Sequence, residues 1–181
     1  MRWSVAASKK FFDVIIIGAG SVGTPAAMFL AREGIRTLVI DKFPSAGQGS
    51  NKHAIGGLRA THSDPAKIRI CLRSLEIFGT WKELYGDNIE WHKGGYAFAA
   101  YAEAEEQTLK ELLVTQKAFG LNISWLDQKE FLEVIPDLNP NGLVGGMFSP
   151  DDGHASPLLS AHAFFLQARR AGAEFHFNET A

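Results

Sequence analysis

Apolar and polar residues alternate near the start of the chain in a pattern that predicts a strand, a helix and a second strand. Val14–Ile17 is a continuous β-branched run, typical of a strand buried on both faces of a parallel sheet. Thr24–Glu33 places apolar residues on one helical face, and Gly34 follows where a left-handed helix end is favoured. A second apolar strand, Thr37–Ile40, leads into Asp41. These residues predict a β-α-β unit.

The remaining chain predicts further helices and strands, which together favour an α/β fold. Residues 43–63 are rich in Gly, Ser, Asn and His without any period and predict a loop. Asp64-Pro65 is typical of a helix start, and the apolar spacing continues to Gly86. An Asp127 to Glu130 capping box starts a short helix. Other helices are predicted over 103–119 and from 156 to 172, and other strands over 90–101, 123–126, 143–149 and 173–177.

Composition places the chain among globular proteins and narrows its partners. It has 181 residues, of which 46% are apolar, and its 18 basic and 20 acidic side chains give a net charge of −2. That balance argues against nucleic-acid binding. No apolar run approaches the roughly 20 residues that cross a bilayer, so no transmembrane segment is predicted. Residues 1–10 do not resemble a secretion signal, and the single cysteine, Cys71, fits a reducing compartment, so a cytoplasmic location is expected.

The glycines that follow the first strand carry the strongest chemical signal. Gly18 permits a tight turn, Gly20 lets the backbone approach a pyrophosphate, and Gly23 lets the helix pack closely. The free backbone amides and the positive end of the helix dipole at the start of the helix favour binding of a negatively charged phosphate. The carboxylate of Asp41 is suited to accept hydrogen bonds from ribose hydroxyls. A glycine-rich turn that binds nothing is the alternative, but the complete frame favours a dinucleotide site. Its predicted residues are Gly18, Gly20, Ser21, Val22, Gly23, Asp41 and Lys42.

FAD and NAD both use this frame, and the following segments distinguish them. The run from Asp13 to Lys42, then Gly49-Ser50-Asn51 and Gly56-Gly57-Leu58-Arg59, resembles the D-amino-acid oxidase superfamily of FAD enzymes. The glycine oxidase, sarcosine oxidase and proline dehydrogenase group is the most similar, and the likeness extends from residue 12 to 181. It implies an α/β fold with a Rossmann-like FAD-binding domain, here incomplete, and an inserted α+β substrate domain.

The resemblance also implies roles for the loop. Gly49, Ser50 and Asn51 would bind the cofactor, with Ser50 and Asn51 in contact with phosphate. The backbone of Gly56, Gly57 and Leu58 would pass near the flavin ring; a flexible surface loop is the alternative. Arg59 and His53 are the candidate catalytic residues. Arg59 would stabilise an anionic flavin or a substrate carboxylate, and His53 would carry a proton. A solvated arginine and a merely hydrogen-bonded histidine are the alternatives, and no metal site is predicted.

The predicted strand order divides the chain into two domains. Residues 1–86 and 150–181 are assigned to a discontinuous FAD-binding domain, and residues 87–149 to part of the substrate-domain insertion. Only three strands of the cofactor sheet are supplied, near Val14, Leu38 and Phe175. The sequence therefore resembles the N-terminal portion of an oxidoreductase, inactive alone, that needs a C-terminal half or a partner subunit.

The implied reaction is oxidation of an amino acid C–N bond by hydride transfer to flavin N5, on a small amino acid or a related molecule. A 2-hydroxy-acid or glycerol-phosphate dehydrogenase is an alternative with the same frame. A non-catalytic dinucleotide-binding piece is an alternative of another class. An NAD-only protein would leave residues 47–59 unexplained.

Overall fold

The computed structural model describes residues 10–181. The sequence predicted no secretion signal in residues 1–10. Residues 1–9 of that segment lie outside the described residues. The elements, in chain order, are β1 (Val14–Ile17), α1 (Gly23–Arg32), β2 (Thr37–Asp41), a 3₁₀ helix (Ser50–His53), β3 (Gly57–Leu58), α2 (Pro65–Tyr85), β4 (Tyr96–Ala100), α3 (Glu103–Ala118), β5 (Ser124–Asp127), α4 (Gln128–Val134), β6 (Gly145–Ser149), β7 (Gly153–His154), α5 (Pro157–Arg170) and β8 (Glu174–Phe177). The α/β class is confirmed.

The chain forms two compact units. The first contains the residues up to Ile55 together with Pro157–Ala181, and the second is Gly56–Ser156. Residues 56–86 belong to the second unit, since Ile68 on α2 packs in a core with Leu121 and Met147. The sequence predicted one domain of residues 1–86 and 150–181 and another of residues 87–149. These boundaries differ from those of the two compact units, and the domain assignment remains a prediction.

The first unit is a parallel sheet with helices on one face. The strand order is β1-β2-β8, and Ile15 lies beside Leu38 in the register. Helices α1 and α5 pack against each other. The Phe165 ring of α5 lies with its centroid 4.8 Å from that of Phe175 and 5.7 Å from that of Phe177, both on β8. Because the strands are parallel, their carboxyl ends share one edge of the sheet.

The opposite face of β1 is open, which corrects the prediction that this strand is buried on both faces. Ile15 and Ile17 are 58% and 76% exposed, whereas Ile16 between them packs toward α1. Side chains alternate across a strand, so the two exposed isoleucines share the face away from the helices. β1 also pairs with β2 alone among the strands of the described chain. The apolar run indicated correctly that this strand suits burial, but no described residue supplies the cover.

The second unit combines a three-stranded antiparallel sheet, order β4-β6-β5, with the short pair β3-β7. Its core joins Ala60, Ile68, Leu121, Ile123 and Met147. The predicted strand 90–101 is shorter than expected, since the strand spans only Tyr96–Ala100 and His92 makes an isolated antiparallel bridge with His154. Positive φ angles at Glu90 (55°) and Gly95 (78°) turn the backbone away from an extended path. The predicted loop 43–63 also contains ordered pieces, the 3₁₀ helix and β3.

Several helix ends form as the local sequence predicted. The Asp64 carboxylate accepts the Lys67 amide at 2.9 Å, and Asp127 and Glu130 make the reciprocal capping box. Gly86 ends α2 in the left-handed conformation with φ 77°. No helix within residues 10–181 is both long enough and apolar enough to cross a lipid bilayer.

One glycine inside α2, Gly79, and the glycine that directly follows the helix, Gly86, give a matched test of backbone conformation. A Cβ on either Gly79 or Gly86 would meet open space, but only Gly86 has a positive φ. Gly79→Ala should therefore stabilise the chain by about 0.5–1 kcal/mol, since it removes a flexible residue from a helix interior. Gly86→Ala should destabilise it by about 1 kcal/mol, because alanine is strained there. Urea unfolding of both variants checks the prediction, and equal effects would contradict it.

Candidate cofactor site

A cleft of about 560 Å³ opens at the carboxyl ends of β1 and β2, within the first unit. Ten residues that the sequence predicted for cofactor binding line this one cleft. They are Gly18, Gly20, Ser21, Val22, Gly23, Asp41, Lys42, Gly49, Ser50 and Asn51. They come from three separate stretches of sequence that the parallel sheet brings to one edge. Their role as ligands stays a prediction.

Each glycine of the turn meets a different physical requirement. Gly18 has φ 102°, and its amide donates to the Ile40 carbonyl at 2.8 Å, which fastens the turn to β2. A Cβ on Gly23 would collide with the Gly18 carbonyl and would lie 3.2 Å from Ile16 Cγ2. A Cβ on Gly20 would meet no atom within 4 Å. Gly18 and Gly23 are therefore needed by the fold, whereas Gly20 keeps space open in the cleft.

The N-terminus of α1 lies at the cleft without a side-chain cap. Val22 precedes the helix and makes no capping hydrogen bond, and the first turn has no acidic residue. The Thr24 hydroxyl instead donates to the Gly20 carbonyl at 2.9 Å, which steadies the turn. Uncapped amides and the positive end of the helix dipole attract anions. This end of the cleft is suited to phosphate.

Asp41 lies at the end of β2 and helps to shape the turn. One carboxylate oxygen, Oδ2, accepts the Ala19 amide at 2.6 Å, and the other, Oδ1, accepts the Phe43 amide at 2.8 Å. A carboxylate oxygen has two lone pairs, so each retains capacity for a further donor such as a ribose hydroxyl. Asp41 thus links the glycine turn to the start of the following loop.

The loop that carries Gly49, Ser50 and Asn51 is fixed beside the turn. The Gly47 amide donates to the Ala19 carbonyl at 2.9 Å, and Gly47 itself has φ 78°. The Asn51 side-chain amide donates to the Pro157 carbonyl at 2.8 Å, which ties the 3₁₀ helix to the start of α5. The Asn51 side chain therefore has a structural partner in addition to any ligand.

Sequence reasoning missed several residues that line the cleft. Phe43, Glu179, Thr180 and Ala181 all contribute to its wall. The Glu179 amide donates to the Asp41 carbonyl at 3.1 Å, which holds the segment after β8 against the end of β2. The available signal was topological: once β8 is placed beside β2, the residues after it must lie at the same edge.

The predicted residues Gly56, Gly57 and Leu58 belong to the second unit and do not line the cleft. Gly57 and Leu58 form β3, and Gly56 has φ 82°. A Cβ on Gly57 would collide with the Tyr96 hydroxyl, so packing within the second unit already requires glycine there. Proximity of this backbone to a flavin stays a prediction.

The two candidate catalytic residues differ in their surroundings. His53 is exposed at the end of the 3₁₀ helix, in the first unit. Arg59, in the second unit, is half-buried, and its guanidinium lies 5.4 Å from the Phe98 ring centroid. Arg59 Nη1 donates to the carbonyl of Thr61 and, at 3.3 Å, to the Thr61 hydroxyl. Arg59 is thus held by neighbours, unlike a freely solvated arginine.

A cavity of about 230 Å³ lies beside Arg59, and the buried polar residues Thr61 and Gln116 help to line it. Burial, and then the positive charge of Arg59, lowers the pKa of His62. Gln116 is 2% exposed; its Nε2 donates to the His62 carbonyl, and its Oε1 has no partner among the described residues. Cys71 packs against the nearby core, and burial raises the pKa of its thiol. No group of three or more potential metal ligands occurs within residues 10–181.

Asp152 is the most buried acidic residue of the second unit and was not predicted as a site residue. It is 1% exposed, and its Oδ1 accepts the Ala60 amide at 2.9 Å. Burial raises the pKa of Asp152, and the hydrogen bond from the Ala60 amide acts in the opposite direction. Its Oδ2 makes no hydrogen bond of good geometry within the described chain.

Comparison with known proteins identifies the family. A family profile described as "DAO: FAD dependent oxidoreductase" matches residues 13–181. The chain belongs to the DAO family. Its sequence is 30% identical over 172 residues to monomeric sarcosine oxidase of Streptomyces avermitilis, covering 93% of this chain and 44% of that protein. It is 28% identical over 173 residues to glycine oxidase of Bacillus licheniformis, covering 92% and 45%.

Solved structures of the DAO family share the fold. The crystal structure of L-proline dehydrogenase from P. horikoshii superposes with a TM-score of 0.88 at 30% identity, covering 93% of this chain and 44% of that one. The chain therefore spans less than half the length of these relatives, and it corresponds to their N-terminal portion.

The raised pKa of Asp152 predicts how the stability of this DAO-family chain depends on pH. The folded state binds a proton at Asp152 more readily than the unfolded state does. The contribution of this group to the free energy of unfolding should therefore fall as the pH rises from the ordinary aspartate pKa through the raised one. Asp152→Asn should remove that dependence and be at least as stable as wild type at pH 7. Urea unfolding at several pH values measures the difference, and parallel profiles would contradict it.

Proposed function

We propose that the cleft of the first unit binds FAD, and that the chain is the cofactor-binding part of an oxidoreductase acting on the C–N bond of an amino acid. The observation that carries the proposal is the arrangement at one sheet edge. An uncapped helix N-terminus, an open backbone at Gly20 and the carboxylate of Asp41 all line the same cleft. Membership of a family of FAD-dependent oxidoreductases supports the choice of FAD.

The residues present fit the adenosine diphosphate portion of FAD. The amides of Ser21, Val22 and Gly23 are proposed to bind the pyrophosphate, with Gly20 leaving room for its approach. Asp41 is proposed to accept the ribose hydroxyls. Gly18 would maintain the turn, and Lys42, Gly49, Ser50 and Asn51 would complete the wall, with Ser50 and Asn51 near phosphate.

An amino acid substrate is supported by the relatives and by one cation of the second unit. The similar proteins are named for sarcosine, glycine and proline. Arg59 is proposed to bind the substrate carboxylate, because a guanidinium is suited to bidentate recognition of that group. His53 is proposed to carry a proton. When bound, FAD supplies the two-electron acceptor for oxidation of the C–N bond, and we propose hydride transfer as its form.

The open side of β1 supports a further part of the proposal. Burying a large aliphatic side chain contributes about 1.5–3 kcal/mol, so an exposed pair such as Ile15 and Ile17 is an unfavourable arrangement in water. We propose that the part of the family fold C-terminal to the matched region covers this face and pairs with β1. That part would be supplied by the same chain or by a partner subunit.

Gly20→Val tests the placement of FAD. The new side chain meets open space, so the fold should be preserved, but it would block backbone approach to the pyrophosphate and lower FAD affinity at least about 100-fold. Gly94→Val is the matched control, because Gly94 also has open space and no positive φ. Thermal unfolding reports the fold, and bound flavin absorbance after gel filtration reports affinity. Stoichiometric flavin in folded Gly20→Val would refute the placement.

Reduction of the flavin by different substrates tests the reaction class. The complete protein, loaded with FAD, should lose its flavin absorbance when mixed anaerobically with sarcosine, glycine or L-proline. Reduction by a 2-hydroxy acid or by glycerol phosphate, with none by amino acids, would overturn the amino acid assignment. Failure of the complete protein to take up FAD would favour a non-catalytic role.

A further inference from the structure

We infer that Asp152 is a positioning residue for Arg59. This inference rests on the proposed function, in which Arg59 binds the substrate carboxylate. Asp152 touches neither a ligand nor the guanidinium itself; it acts through the backbone of Ala60 and through Thr61. All the residues concerned lie within the second unit.

The first step is the hydrogen bond between the two segments. Leu58 pairs with Gly153 in the register of β3 and β7, so Arg59 directly follows one strand and Asp152 directly precedes the other. Beyond the paired residues, Asp152 Oδ1 accepts the Ala60 amide at 2.9 Å. Ala60 is fully buried, so no bulk water can replace that acceptor. An amide left without a partner there would be strongly disfavoured.

The second step links this bond to the guanidinium. Thr61 follows Ala60 and is buried, and both its carbonyl and its hydroxyl accept from Arg59 Nη1. Fixing Ala60 therefore fixes the two acceptors that hold the head of Arg59.

Asp152 is itself held in place by backbone contacts that do not involve Ala60. The Asp152 carbonyl accepts the Gly95 amide at 2.8 Å, and His154 exchanges backbone hydrogen bonds of 2.8 and 3.0 Å with His92. A Cβ on Gly153 would collide with the His92 carbonyl, so this segment is also closely packed. Asp152 is thus anchored independently of Ala60, and it can impose a position on residues 59–61.

The variants follow from this chain of contacts. Asp152→Ala removes the acceptor and frees residues 59–61. In the FAD-loaded complete protein, with the C-terminal part present, the KM for an amino acid substrate should therefore rise about tenfold or more, with a smaller change in kcat. Asp152→Asn keeps an acceptor for the Ala60 amide and should restore KM to within about threefold of wild type. Thr61→Val preserves the side-chain shape but removes the hydroxyl, and should raise KM in the same direction.

A readout independent of activity is the hydrogen exchange of the Ala60 amide, measured by NMR. This amide should be protected in wild type and Asp152→Asn, and should exchange at least about tenfold faster in Asp152→Ala. Asp151→Ala is the matched control. Asp151 is the adjacent carboxylate, but it pairs with Lys93 and Asn122, whereas the Ala60 amide donates to Asp152.

The outcomes separate this inference from the proposed function. Unchanged Ala60 exchange in folded Asp152→Ala, or a KM not rescued by Asp152→Asn, overturns the positioning role. If Asp152→Ala does not fold, Thr61→Val decides, and an unchanged KM in that variant overturns the role. Arg59→Lys tests the proposed function itself: an unchanged KM there removes both conclusions. A raised KM in Arg59→Lys, with normal values in Asp152→Ala and Thr61→Val, leaves the proposed function standing and removes this inference alone.

Discussion

The close approach of α1 to β1 is the constraint on which the candidate site depends. Gly23 lies so near the Gly18 carbonyl that no side chain fits between them, and Ile16 packs against the same point. The helix therefore begins close to the end of the strand, and its N-terminus, which has no side-chain cap, borders the cleft. A helix that started farther away would leave the positive end of its dipole without a defined position relative to β2 and Asp41.

The same edge shows how one group serves both fold and chemistry. Asp41 accepts hydrogen bonds from two backbone amides, that of Ala19 in the glycine turn and that of Phe43 in the following loop, and retains lone pairs for a ligand. In the second unit Asp152 has a comparable structural role, since its carboxylate holds the backbone after β3. Asp41 borders an open cleft. Asp152 is buried, and burial raises the pKa of its carboxyl group.

Local patterns predicted the elements well, because helix starts, helix ends and turns depend on residues a few positions apart. The Asp64 cap, the Asp127 capping box and the left-handed Gly86 all formed where the sequence indicated. Residues 90–95 form no continuous strand and make only the His92–His154 bridge, because the positive φ angles at Glu90 and Gly95 turn the backbone away from an extended path. The sequence did not predict the short pair β3-β7, because each strand has only two residues and so shows no alternation of apolar and polar positions.

The sequence by itself determined the β-α-β unit and the glycine turn, since these follow from local spacing, and Asp41 follows the second strand at the same carboxyl edge of the sheet. The family resemblance, and not spacing, indicated Gly49, Ser50 and Asn51, which line the same cleft. Only the tertiary structure decided that Glu179 joins the cleft, that Gly57 is required by the Tyr96 ring, and that Asp152 holds Ala60 across 92 positions of sequence. Only the structure, too, left Ile15 and Ile17 exposed, although their run is typical of burial. The physical reason is common to these cases: contacts and cover between distant segments depend on how the elements pack, and the spacing of residues within one segment does not encode that packing.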